Sequence, residues 1–167
     1  MVLNRQVRTM LGVAVIAALA GAQDQVEAAT ATLEVSATVA NACTVESGSL
    51  AFGTYQAGPQ APSLEGSGVF NVQCTSPASV EIKLDGGLNE GAGGGARAMK
   101  GPGNSYLNYA LLEGVSPLAF PWDPGLGIVH PVDSGANEIV VNGVIDAGQT
   151  AQAGEYSDTV QITMTFF

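Results

Sequence analysis

Residues Gly154–Phe167, GEYSDTVQITMTFF, constrain the fold more than any other stretch of this chain. Tyr156, Val160, Ile162, Met164 and Phe166 fall on one side of an extended segment, and Ser157, Thr159, Gln161, Thr163 and Thr165 on the other. Period-two alternation built from β-branched and aromatic residues marks a half-buried strand. Such a strand must bury its apolar face and find partners for both of its backbone edges. The sequence then stops, so the expectation is an edge strand, and an open edge is a template for another chain. The neighbour is expected to come from a second copy of the protein.

Thr30–Val39, TATLEVSATV, alternates in the same way. Ala31, Leu33, Val35, Ala37 and Val39 share one face, and Thr30, Thr32, Glu34, Ser36 and Thr38 share the other. No glycine or proline interrupts the run. Its apolar side chains are modest in size, which suits insertion into a slot. Two readings stay open at this point. The segment is an ordinary first strand tied into its own sheet, or it is a donor that completes the edge of another copy. The donor reading also accounts for the unpartnered face at the other end. It makes Tyr156, Val160, Ile162, Met164 and Phe166 the expected acceptor groove.

Arg5 and Arg8 precede an apolar run over Met10–Ala20, and the small-residue motifs Ala20-Gly21-Ala22 and Val26-Glu27-Ala28 follow. This is the pattern of a secretory signal peptide. The run is shorter than the ~20 apolar residues of a membrane-spanning helix. Cleavage near Ala28 gives the expected plan: signal peptide 1–28, donor strand 29–40, β-sandwich 41–167. Export makes Cys43 and Cys74, the two cysteines, an expected disulfide. A metal site is the weaker reading, because the single His130 stands far from both. The formal charge is −10, and after the signal the cations are Lys83, Arg97 and Lys100. No basic cluster exists to hold nucleic acid or an anionic membrane face.

Between the cysteines and the final strand the pattern stays β. Short strands are expected at Leu50–Tyr55, with a bend at Gly53, and at Val69–Cys74, Val80–Leu84, Tyr106–Leu112 and Glu138–Ile145, the last broken by Gly143. Val80, Ile82 and Leu84 should point inward. Gln56–Gly68, the glycine-rich Asp85–Gly95 and the proline-rich Glu113–Asn137 read as loops. No amphipathic helix of useful length is present. The expected fold is all-β, a Greek-key sandwich.

Several segments together resemble the spore coat protein U domain family, which includes subunits of archaic, Csu-type chaperone–usher pili. They are Asn41-Ala42-Cys43-Thr44-Val45, Leu50-Ala51-Phe52-Gly53-Thr54-Tyr55, Val72-Gln73-Cys74, Arg97-Ala98-Met99, Tyr106-Leu107-Asn108-Tyr109, Trp122, Val141-Asn142-Gly143-Val144-Ile145, Gln149, and Gly154–Val160 with the alternation that follows it. Asn142 stands where the family often has an aromatic residue, and the Phe120–Pro131 stretch is richer in proline than the pattern. The resemblance implies an incomplete immunoglobulin-like sandwich that lacks its last strand. It implies a periplasmic chaperone that lends a strand first, an outer-membrane usher where the next subunit's N-terminal strand replaces it, and other subunits, chiefly copies of this chain, as partners. This is strand addition to an open sheet edge. A one-residue slip in register would point Glu34 into the groove.

The chemistry-bearing alternatives are thin. His130, Asp133 and Ser134 lie close in sequence, but a triad is recognised by geometry, and no nucleophile-elbow motif is present. Asp85–Gly95 lacks the Gly-Lys-Ser/Thr ending of a phosphate loop. Trp122, Tyr106 and Tyr109 could stack on a sugar, but Tyr109 and Trp122 read better as core or loop anchors. The expectation is therefore a structural protein without catalytic residues, cofactor or metal. The resemblance implies that it is exported through the periplasm to the cell surface and polymerises head to tail for adhesion or biofilm formation. A tip-proximal adhesive module using Glu113–Asn137, or a spore or cyst coat protein, is the alternative.

Overall fold

The computed structural model describes residues 27–114 and 118–167. The signal peptide expected over 1–28 lies outside them except for its last two residues. The chain divides into two units, Met1–Thr38 and Val39–Phe167. In the first, residues 27–38 form neither helix nor strand and are exposed throughout. Thr30–Val39 carries no strand in the single chain, since alternation alone makes no strand without a ladder partner, and the donor reading places that partner in another copy.

The second unit is all-β and antiparallel. Its strands are β1 (Cys43–Val45), β2 (Ser49–Ala51), β3 (Leu64–Cys74), β4 (Ala78–Leu84), β5 (Arg97–Lys100), β6 (Tyr106–Glu113), β7 (Phe120–Pro121), β8 (Gly127–Val132), β9 (Gly135–Ile145) and β10 (Ile162–Phe166). One sheet has the order β1-β3-β9-β6-β5, with β2 also beside β3 and β7 beside β6; the other has the order β10-β4-β8. Alternate residues of each strand meet between the sheets. Phe70 and Val72, Tyr109 and Leu111, and Ile139 and Val141 from the large sheet bury against Val80, Ile82 and Leu84 from the small one. Trp122 is completely buried in this core.

The order β1-β3-β9-β6 reproduces the A-B-E-D sheet of an immunoglobulin sandwich, and β4 and β10 take the C and F places. The G place lies on the far side of β10. Among the described residues no strand fills it.

The Cys43–Cys74 disulfide forms as expected and joins directly opposed residues of β1 and β3, with Cα atoms 4.1 Å apart. Several boundaries differ from those expected. β3 begins at Leu64, inside the expected loop, and pairs with β9 from Leu64↔Ile145 to Cys74↔Gly135. The glycines that suggested a loop serve close approach instead. A Cβ at Gly68 would run into the Ser49 carbonyl oxygen and Leu50 of β2. β9 is continuous through Gly143, and β5 was not foreseen. β2 is short, because the chain turns away at Gly53, whose φ is +80°.

The expected proline-rich loop contains β8 and the start of β9. Proline is tolerated in β8 because that strand is the outer edge of the small sheet. Ser79, opposite Pro131, exchanges both backbone hydrogen bonds with Phe167 on its other side. Pro131 therefore turns its backbone outward, where its missing N–H removes a donor from the free edge. The final strand is also shorter than the alternation. Only Ile162–Phe166 forms a ladder, with β4, while Ser157 bridges to Lys100 and residues 158–161 carry no strand.

Candidate functional site

The vacant strand place is a groove. One lip is β2 and the residues after it, from Ser49 through Leu50 to Phe52. The other lip is Tyr156–Val160 and Ile162. Phe70, Tyr109, Leu111 and Val141 of the large sheet form the floor, and the space between the lips is about 420 Å³. The groove continues between Leu50–Tyr55 and Ala151–Ser157 over Met99, Leu107 and Ile145. Both lips have free backbone edges: β2 pairs only with β3, and β10 only with β4.

Of the expected acceptor residues, Tyr156, Val160 and Ile162 line the groove. Met164 packs against the core, and Phe166, 41% exposed, sits further along β10 and away from the lining. The opposing lip, Leu50 and Phe52, was read from the sequence as a strand but not as part of the site. Its signal was available in the Leu50/Phe52 spacing. Of the expected donor residues, Leu33, Val35 and Val39 are 88%, 85% and 91% exposed, and Ala31 and Ala37 are exposed too.

Three polar anchors fix the second lip. Asp158 accepts hydrogen bonds from the Tyr109 hydroxyl at 2.8 Å, the Leu88 N–H at 3.0 Å and the Asn89 side-chain amide at 3.2 Å. Asp85 Oδ1 accepts from the Gly87 N–H at 2.9 Å and the Gln161 N–H at 2.8 Å. The glycine-rich turn thus stitches the back of the lip. The Tyr156 hydroxyl donates to the Gln152 carbonyl at 2.8 Å and lies 2.7 Å from Ser105 Oγ. Burial, and then the hydrogen bond to Asp158, push the Tyr109 phenol far above its ordinary pKa.

Arg97 of β5 is 2% exposed. Its guanidinium donates to the carbonyls of Asp85 at 2.7 Å, Trp122 at 2.7 Å and Leu84 at 3.2 Å. Burial lowers its pKa from the ordinary value, and Tyr109 and Asp85 partly offset that. The fork ties the large sheet to the end of β4 beneath the groove.

His130 faces inward from β8. Its Nε2 lies 3.5 Å from Glu113 Oε1, and its ring lies against Trp122 with centroids 5.8 Å apart. Asp133 and Ser134 are exposed on the following turn, where the Asp133 N–H donates to Asn137. The Trp122 indole donates to the Leu126 carbonyl, as a core anchor.

A disulfide-stapled antiparallel sandwich with its last strand place unfilled is the class of domain that this geometry defines. The sequence matches the Spore Coat Protein U domain family over residues 29–163, and the chain belongs to that family. It is similar to Protein U of Myxococcus xanthus, at 34% identity over 96% of this chain and 98% of that protein. In structure it is similar to the chaperone–tip adhesion subunit pre-assembly complex from archaic chaperone–usher Csu pili of Acinetobacter baumannii, with a TM-score of 0.46 and 20% identity. That match covers 76% of this chain and 40% of the other, so this chain spans less than half the length of that one.

Proposed function

We propose that this protein is a structural subunit that polymerises head to tail, the Ala31–Val39 strand of one copy filling the groove of the next. The observation that carries the reading is the vacant place beside β10, open over an apolar floor. The first lip from Ser49 to Ala57 and the donor from Ala31 to Val39 each span nine residues. Fully extended, the donor spans roughly 30 Å, while the first lip is strand only over Ser49–Ala51, before the turn at Gly53. Burying Leu33, Val35 and Val39 is worth about 1.5–3 kcal/mol each. New ladder hydrogen bonds contribute about 0.5–1.5 kcal/mol apiece. Together they offset the ordering cost of about 1–2 kcal/mol per residue only in the register that keeps Glu34 out. In the periplasm a chaperone strand occupies the groove first, and an outer-membrane usher exchanges it for the donor. The product is a surface fibre, serving adhesion or biofilm formation, or the same assembly laid down as a spore or cyst coat.

The test is a thermal melt of a chain beginning at Asn41, with and without a synthetic Ala29–Ala40 peptide. The expected result is a large rise in melting temperature that Leu33→Arg in the peptide abolishes. A truncated chain that is monomeric and equally stable without the peptide would remove the basis for polymerisation.

A further inference from the structure

We propose that Tyr109 and Asp158 are positioning residues that hold the empty groove at the width of a strand. The inference rests on the acceptor reading above and adds what keeps the acceptor open. A sandwich lacking a strand should close on itself, because the largely buried apolar floor of Phe70, Leu111 and Val141 still borders an unfilled space and gains by contact with the opposite lip. Something must resist that closure.

Tyr109 projects from β6 in the large sheet, and Asp158 lies on the segment leading to β10 in the small one. Their 2.8 Å hydrogen bond therefore spans the two sheets beside the vacant place. Asp158 is not free to follow if the sheets shift. Its other oxygen is held by Leu88 and Asn89, and the backbone at Gly87 packs so closely that a Cβ there would collide with the carboxylate. The Tyr109 ring also meets Phe52, on the first lip, edge to face at 5.9 Å. One side chain thus touches both lips and belongs to the floor. Closing the groove would break the bond and leave a buried phenol and one oxygen of a partly buried carboxylate without a partner, a cost that opposes collapse.

The experiment uses the mature chain from Ala29 carrying Leu33→Arg, so that its own segment does not compete, with the synthetic Ala29–Ala40 peptide as probe. Peptide affinity and association rate are measured for the unmodified groove, for Tyr109→Phe and for Gly87→Ala, a change outside the lining that displaces the Asp158 carboxylate of the second lip. Melting temperatures are taken with and without saturating peptide. Both variants are expected to bind at least about tenfold more weakly, the loss of one hydrogen bond to a charged group. The loss should appear mainly in association, because the strand-width state is less populated. Their peptide-saturated forms should melt close to the parent, since the donor then holds the lips apart. Equal affinity with melting lowered alike in both states makes the bond an ordinary core contact and overturns the proposal. An unmodified groove that ignores the peptide overturns the acceptor reading and this one with it.

Discussion

Replacing Arg97 with methionine tests whether a charged fork, rather than apolar contact, ties the sheets together beneath the groove. Arg97 is buried, and among the described residues no carboxylate lies within ion-pair distance of it. Its charge is held by three carbonyl oxygens, of Leu84, Asp85 and Trp122. Methionine keeps much of the volume and supplies no donor. The Leu84 carbonyl keeps the Gly125 N–H, and the Asp85 and Trp122 carbonyls each lose their guanidinium donor at a cost of about 1–3 kcal/mol. Relief from desolvating the guanidinium offsets part of that sum. The net loss should be about 3–5 kcal/mol, the usual result of breaking a buried charged network from one side. A domain of this size loses roughly 3–4 °C per kcal/mol, so melting should fall by roughly 10–20 °C in circular dichroism. Arg97→Lys should recover only part of it, because an ammonium is a point donor and cannot reach three carbonyls arranged around a planar fork. Melting of Arg97→Met within about 2 °C of the parent, or full recovery by lysine, would refute the reasoning.

Reducing the Cys43–Cys74 bond, which closes a sequence separation of 31 residues, should cost roughly 3–4 kcal/mol on the chain-entropy model. Melting with and without dithiothreitol, and of the double serine variant, checks this; identical curves would contradict it. Tyr109 gives a pH dependence with a definite sign. Its folded pKa lies above the unfolded value, so the folded state holds the proton more tightly. Its contribution is therefore full below about pH 10 and is lost as the pH rises beyond that. Urea unfolding at alkaline pH should show a steeper loss for the parent than for Tyr109→Phe, and parallel curves would exclude the effect.

Alternation was legible wherever one strand face is buried and the other wet. Val80, Ile82 and Leu84 are buried as the spacing requires, and Tyr156, Val160 and Ile162 line the groove. What escaped the sequence depended on neighbours distant in the chain. Gly66 and Gly68 carry ordinary loop chemistry, and only the proximity of β2 shows why a strand needs them. Pro131 looked like a strand breaker because nothing local says which way its backbone faces. The interior place of Arg97 has no periodic signal, since one cation surrounded by small residues reads as surface. The Tyr109–Asp158 bond joins residues 49 apart, and no local pattern links them. The disulfide was legible because the compartment, inferred from the first residues, restricts what two cysteines can do.

Pro131 gives the molecule a valence. A sheet edge is a bonding site, and a sandwich with several equivalent edges would join its neighbours in sheets or tangles. Here the outer edge of β8 lacks a donor where Pro131 faces out, while the edge of β10 keeps its donors beside a vacant place. On the head-to-tail reading proposed above, blunting one edge and leaving another open would make a connector with direction, one that extends a line more readily than it branches.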